Sequence, residues 1–372
     1  MNIAFSFFSN DKTNEANEFI FETFQRILRS HSDHTFILIS NKSFSQSFVF
    51  SKNIIPVIIN YPAKSPKKWL IWYNFKIPKI LKKYEADIFI SENFCTLFTK
   101  IPQLLIAPDL SFIHQPSFFT KTEKFFYKKF MPLFLKKAKT IISFSEFEKR
   151  DIVRQYKMDA NKIKVIHEGI DKSYYPFNLE EREIIKEKYA DGNEYFVYTG
   201  IISSQKNLKN LLKAFSIFKK RQRSSMQMII AGKQGKHFEE FNKSLENYKF
   251  KKEIKLLNDL SEQEIIKIIA SSYATLFPPV YEISAIGLLK AMKCEVPVIA
   301  SEIGFMREIC GDAALYFDPE NDKDIAWKMM LVFKDEKLRK EFIEKGKERI
   351  KNYDWDKSAS LFYKNIEDAL LL

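Results

Sequence analysis

The chain has 372 residues, enough for two domains that each bury a core, and its 45% hydrophobic and 15% aromatic content excludes a disordered chain. Its three cysteines, Cys95, Cys294 and Cys310, form no close pair and no metal spacing, which excludes a disulfide scaffold and fits reduced thiols in the cytoplasm. The formal charge of +13 is lopsided: residues 1–170 carry 26 Lys and Arg against 15 Asp and Glu, so only that half prefers anionic partners.

The start, residues 1–11, lacks a basic leader and reads as a first strand and not as a signal peptide. From there short apolar runs predict strands at 3–8, 35–40, 54–59, 87–91, 103–107, 140–144 and 163–166. Helical patterns fall between them at 14–29, 69–83, 121–137 and 146–156. Strand and helix alternating at this spacing predict a mostly parallel sheet covered on both faces. All nine glycines lie at or after Gly169, which rules out a glycine-rich phosphate loop before that point. The five histidines are scattered, and no metal site is expected.

A polar stretch containing Gly169, Pro176 and Gly192 separates this series from a second one, and residues 171–193 read as a linker. Further strands are expected at 195–199, 226–231, 254–257, 273–277, 296–301 and 314–317, with helical patterns from 322 to the end. The domains are therefore 1–170 and 194–354, followed by a terminal helix over 355–372. No run of 18 apolar residues occurs, so no membrane span is expected.

Two segments of the second series carry chemistry. In the first, the strand 195–199 is followed by Gly200, a polar loop and Lys206-Asn207 at the next helix start. Such a loop exposes backbone N–H groups and aims one cation toward a phosphate. In the second, the strand ending at Phe277 leads through Pro278 and Pro279 to Glu282. Strand carboxyl ends are where parallel α/β sheets bind ligands. Ser284 can cap the helix that follows, and the strand 296–301 is succeeded by turns at Gly304 and Gly311.

This order resembles the donor-sugar half of the group 1 retaining glycosyltransferases, and the likeness extends over nearly the whole chain, most strongly from Ile141 onward. The resemblance implies an α/β, GT-B fold, in which two doubly wound Rossmann-like domains face one another across a cleft and the terminal helix crosses back to the first. It implies catalytic roles for Lys206, Glu282 and Asp109, with Gly200, Asn207, Ser284, Ala285, Ile286 and Lys290 holding the donor. No metal or cofactor is implied; a UDP- or GDP-sugar is the co-substrate, and the acceptor is a saccharide or a lipid-linked saccharide. Glu282, as an acceptor-only carboxylate, suits sugar hydroxyls.

Several positions depart from the family pattern. Ile201 and Gln205 stand where an Arg often accompanies the lysine, and Lys290 stands in place of a second Glu that receives the ribose hydroxyls. An ammonium has donors only, so Lys290 either meets the diphosphate or points to solvent. The loop 9–13 has no glycine, and Pro108-Asp109 replaces a His-Asp pair. These departures keep open a second reading, a glycosyltransferase-like binding or partner subunit that transfers no sugar.

Residues 64–83 and 121–139 are basic and aromatic, with apolar positions at helical spacing. They read first as core helices edged by lysines, and second as a surface for anionic lipid at the inner face of the membrane. No nucleic-acid-binding module or Arg-rich strip is present, and no nucleic-acid partner is expected.

Overall fold

The computed structural model describes residues 1–7, 15–40, 52–59, 70–107, 109–284 and 286–371. The chain divides into two compact units, one formed by Met1–Glu168 with Trp355–Leu372 and the other by Gly169–Asp354.

The first unit is built on seven parallel strands: β1 (Asn2–Phe7), β2 (Thr35–Ser40), β3 (Ile54–Ile58), β4 (Ile88–Glu92), β5 (Gln103–Ile106), β6 (Thr140–Ser143) and β7 (Ile163–Val165). Their order is β3-β2-β1-β4-β5-β6-β7, so the chain winds outward from β1 and then returns to its other side at β4. β1 pairs with β2 from Asn2 opposite Thr35 to Phe7 opposite Ser40, and with β4 from Ile3 opposite Ile88. Ile3, Ala4, Phe5, Ile37, Leu38, Ile39 and Phe89 are fully buried, as expected of strands covered on both faces.

Helix α1 (Glu15–Ser30) packs on this sheet with Phe5 and Phe24 ring centroids 5.1 Å apart. The polypeptide's last helix covers α1: Phe362 lies 5.6 Å from Phe19, and Trp355 lies 6.0 Å from it. Trp355, Phe362, Ile366 and Ala369 are buried at spacings of seven, four and three, one face of a helix. Arg26 and Asp356 add an ion pair at 2.7 Å, and the Ser358 hydroxyl donates to the His167 carbonyl at 2.6 Å.

Residues 64–69 of the first basic stretch lie outside the described residues, and the described parts of both stretches behave on one side as core helices. Trp72–Lys76 is a π-helical turn that runs into α2 (Ile77–Lys83). Pro78 has no N–H to offer the Asn74 carbonyl, which suits a widened turn at that point. Trp72, Tyr73, Ile77 and Leu81 are buried, whereas Ile71 and Phe75 are exposed. In α3 (Lys121–Lys137), Thr120 and Glu123 form a capping box, Phe126, Met131, Phe134 and Leu135 are buried, and Phe125 and Leu133 are exposed. Helix α4 (Glu146–Tyr156) follows β6.

The second unit carries β8 (Tyr195–Thr199), β9 (Gln227–Ala231), β10 (Ile254–Leu257), β11 (Ala274–Phe277), β12 (Val298–Ser301) and β13 (Ala314–Phe317). All are parallel, in the order β10-β9-β8-β11-β12-β13. Residues 171–193, whose polar composition reads as a linker, contain helix α5 (Leu179–Ala190) and belong to this unit. An Asn178–Glu181 capping box starts the helix, and the buried Lys186 meets Glu183 at 2.8 Å and Glu194 at 2.5 Å. These polar bonds hold α5 together with the buried Ile185 and Ala190, too few apolar positions for a stripe, which is why composition concealed it. The other helices are α6 (Leu208–Gln222), α7 (Phe238–Glu246), α8 (Glu262–Ala270), α9 (Ile286–Lys293), α10 (Gly304–Cys310), α11 (Asp322–Lys334), α12 (Glu336–Ile350) and, returning to the first unit, α13 (Trp355–Leu371).

Two glycines let the ends of β8 and β9 touch. Gly200 and Gly232 have φ of +144° and +151°, and a Cβ on Gly232 would lie 1.8 Å from the Gly200 carbonyl oxygen. Gly232→Ala is therefore expected to destabilise the protein by about 1–3 kcal/mol or more, read as a lower urea midpoint. An unchanged midpoint would show that these strand ends separate without cost.

Candidate active site

The six-stranded sheet reverses its winding between β8 and β11, and at such a reversal the two crossovers diverge and leave a crevice beyond the strand ends. The two segments singled out by sequence leave the sheet here, one after each strand. Lys206 closes a 3₁₀ turn, Ser204–Lys206, beyond β8. Its Nζ donates to Oε2 of Glu282, five residues past the end of β11. The other Glu282 oxygen accepts the Ile283 backbone N–H at 3.1 Å. Both side chains are mostly shielded from solvent, with 15% and 13% of their surface accessible.

Asn207 fixes the geometry beneath this pair. It sits in the left-handed region at φ +58°, which asparagine tolerates better than most residues. Its side-chain amide donates to the Pro278 carbonyl at 2.9 Å and to the Pro319 carbonyl at 2.8 Å. The start of α6 is thus tied to the chain leaving β11 and to the chain leaving β13. The loop between Gly200 and Lys206 is stitched to the segment after β9. Ile202 donates to the Lys233 carbonyl at 2.8 Å, Gly235 donates to the Ile202 carbonyl at 3.0 Å, and the Tyr198 hydroxyl donates to the Ile201 carbonyl at 2.9 Å.

The start of α9 lies on the β11 side. Ser284 is buried, and its Oγ accepts the Ile286 N–H at 3.4 Å; Ala285 falls outside the described residues. Ile286 is buried as well. Gly287 allows α9 close to β11, since a Cβ there would lie 2.6 Å from Cε1 of Phe277. The Lys290 ammonium stands 5.1 Å from the ring centroid of Tyr174, and the Tyr174 hydroxyl donates to Glu262 at 3.3 Å. This cation–π contact with a partly exposed Lys290 adds a third arrangement to the two expected from sequence, solvent and a diphosphate.

In the first unit, Asp109 follows β5. Its two oxygens accept from the Ser111 N–H at 2.7 Å and the Ser111 hydroxyl at 2.8 Å, and its own N–H donates to the Asn93 side chain at 2.7 Å. Pro108 and the loop 9–13 fall outside the described residues. Nearby chemistry went unnoticed in the sequence. His114 Nε2 meets Asp151 at 2.5 Å, and Glu148 is buried at the start of α4. Glu148 Oε2 accepts from the Phe144 N–H and the Ser143 hydroxyl, each at 2.9 Å, while Oε1 is buried without a hydrogen-bond partner. Burial pushes the Glu148 carboxyl up to about 7, aided by the charges of Asp109 and Asp151 and opposed by those two bonds. A Ser-x-x-Glu capping pattern from Ser145 to Glu148 was the available signal. Among the described residues one group of three has the makings of a metal site: His31, Asp33 and His34, also in the first unit.

Residues 180–349 match the model of the glycosyl transferases group 1, and residues 28–174 match that of glycosyltransferase family 4. The chain is 24% identical over 277 residues to O-antigen chain mannosyltransferase B of Escherichia coli, covering 74% of this chain and 73% of that protein. It is 22% identical over 310 residues to O-antigen chain mannosyltransferase RfbU of Salmonella typhimurium, covering 81% of each. Among solved structures, Anabaena HepE in complex with UDP and glucose superposes with a TM-score of 0.77 at 15% identity, covering 99% of this chain and 100% of that one. The two parallel-sheet α/β units are those of the GT-B fold.

The raised Glu148 carboxyl makes stability depend on pH. The folded state holds this proton more tightly than the unfolded state, so the contribution is full below the ordinary carboxyl range and is lost as pH rises through about 7. Denaturant midpoints of the wild type should fall between pH 5 and pH 8 relative to Glu148→Gln, by about 3 kcal/mol at most. Parallel pH profiles for the two proteins would remove this assignment.

Proposed function

The chain belongs to the group 1 glycosyltransferases, and from that premise we propose that it is a retaining enzyme. In this reading it moves a sugar from a nucleoside diphosphate donor to a saccharide or lipid-linked acceptor. The observation that carries the proposal is the Lys206–Glu282 pair at the sheet reversal of the second unit. On donor binding, the Lys206 ammonium turns to the diphosphate and Glu282 accepts hydroxyl protons of the sugar. Gly200 gives the loop room, and the backbone at Ser284 and Ile286 lies beside the phosphates at the start of α9; a like role for Ala285 rests on the sequence motif alone. Asn207 acts as a positioning residue, because its amide is bonded to Pro278 and Pro319.

The bond from the anomeric carbon to the phosphate oxygen breaks as the acceptor hydroxyl adds to the same face. The hydroxyl proton passes to the departing phosphate oxygen. Lys206 stabilises the charge that develops on the diphosphate, a task a metal ion performs in other sites. A double displacement needs paired carboxylates, and the sequence motif holds Glu282 without a second acid. Asp109, with its two oxygens on Ser111, is proposed to shape the acceptor-side loop. Lys290, held over Tyr174, would reach a donor only by leaving that ring. Because two relatives are named mannosyltransferases, mannosyl donors on GDP and UDP head the panel to test.

We also propose a cytoplasmic location and an anionic lipid surface as partner. No described helix is long and apolar enough to cross a membrane. Phe75 and Phe98 are 55% and 62% exposed with ring centroids 5.5 Å apart, and exposed Lys76, Lys79 and Lys82 lie along the same helical stretch. On α3, Lys129 Nζ stands 5.8 Å from the exposed Phe125 ring. Apolar rings edged by lysines suit the interface of an anionic bilayer.

Lys206→Ala and Glu282→Gln should each lower sugar transfer about a hundredfold or more in protein that remains folded, and proton NMR of the product should show the donor's anomeric configuration. Transfer near the wild-type rate in either variant would remove the site, and an inverted product would remove the mechanism. Flotation with phosphatidylserine vesicles should carry the protein at low salt, and less of a Phe75→Ser/Phe98→Ser variant. Equal flotation with neutral vesicles would remove the lipid partner.

A further inference from the structure

The connection between α1 and β2 reads His31-Ser32-Asp33-His34, and it gathers two of the chain's five histidines into four residues. His31 donates its N–H to the Ile27 carbonyl at 2.9 Å, and His34 closes a turn onto the His31 carbonyl at 3.3 Å. One ligand atom from each of His31, Asp33 and His34 lies within 4.8 Å of the others. The three side chains are graded in burial: His34 is buried, His31 is intermediate, and Asp33 is exposed. A cluster with one ligand anchored in the protein and one at the surface has both a fixed point and an entry path.

Helix α13 supplies the second shell. His34 Nε2 lies 2.6 Å from the Tyr363 hydroxyl, and the His31 ring stacks on Tyr363 with centroids 3.6 Å apart. In the tautomer that donates Nε2–H to the Tyr363 oxygen, the phenol accepts at 2.6 Å. That choice of tautomer leaves a lone pair on Nδ1. Nδ1 is buried, makes no hydrogen bond, and stands 3.1 Å from Asp33 Oδ2. A lone pair held against a carboxylate oxygen is repulsive unless a cation is shared between them. The spacing is that of two neighbouring ligands on one ion, since bonds of about 2.0–2.2 Å place ligand atoms roughly 3 Å apart.

We propose that His31, Asp33 and Nδ1 of His34 bind one borderline divalent cation, with Zn²⁺ as the reference ion, pinning the α1–β2 connection beside α13. Two imidazoles and a carboxylate suit zinc, cobalt and nickel over magnesium or calcium, which take oxygen ligands. Tyr363 fills the role that an oxygen partner plays for most metal-bound imidazoles, fixing tautomer and ring orientation. Solvent completes the coordination on the Asp33 side. The site is independent of the sugar-transfer chemistry, which uses residues of the second unit.

The test uses tag-free, EDTA-treated full-length protein titrated with Zn²⁺ by calorimetry and with Co²⁺ by visible absorption. Wild type should take up one ion per chain and melt at a higher temperature in its presence. His31→Gln and Asp33→Asn, both away from the core, should each weaken uptake at least tenfold and abolish the thermal shift. Glu282→Gln should bind as wild type does. No uptake of Zn²⁺ at millimolar concentration would overturn the proposal and leave a proton on Nδ1 as the cation shared with Asp33. Uptake unchanged in either ligand variant would overturn it as well.

Discussion

The pairing of Lys206 with Glu282 is the contact around which the second unit is organised. Two charged side chains, each mostly withdrawn from water, meet beyond the strands where the sheet changes direction. Their mutual attraction offsets part of the desolvation each has suffered, and removing one would leave the other charge uncompensated. The same contact also sets a condition on function. In the proposed mechanism, a donor binds by offering the ammonium a phosphate and the carboxylate a set of hydroxyls at nearly the same moment. A ligand with only one of these parts exchanges half a pair and gains little.

The surroundings are arranged to keep that pair in place. Gly200 and Gly232 allow two strand ends to touch, Asn207 bonds the carbonyls of Pro278 and Pro319, and Gly287 seats α9 on Phe277. None of these contacts a reacting atom. Each removes freedom from the segment that does, which is how a fold converts packing into orientation. The second unit works with the altered set of groups read from its sequence, Ile201 and Gln205 beside Lys206, and Lys290 drawn onto Tyr174.

The thirteen strands were legible within one or two residues, because strands buried on both faces are continuous apolar runs. Lys206 and Glu282 were legible as members of motifs. What escaped was anything decided by long-range polar bonds. Helix α5 hid in a polar stretch because a capping box and the Lys186 ion pairs hold it. Asn207 was legible as part of the Lys-Asn motif, but not that its amide bonds the carbonyls of two prolines 71 and 112 residues away. The His31–Asp33–His34 group was passed over among scattered histidines, since its meaning depends on Tyr363 more than 300 residues on. Glu148 sits in a Ser-x-x-Glu pattern that went unnoticed in the sequence, and burial pushes its carboxyl up to about 7.

The most direct measurement is a calorimetric titration of wild type and Lys206→Ala with UDP, GDP and their sugar derivatives. If the Lys206–Glu282 pair is the donor site, wild type binds one base selectively, the intact sugar nucleotide binds more tightly than the bare diphosphate, and Lys206→Ala loses at least tenfold for both. Equal affinity in the two proteins would contradict the account by removing Lys206 from the donor site, and no binding of any nucleotide at millimolar concentration would contradict it in favour of a chain that transfers no sugar.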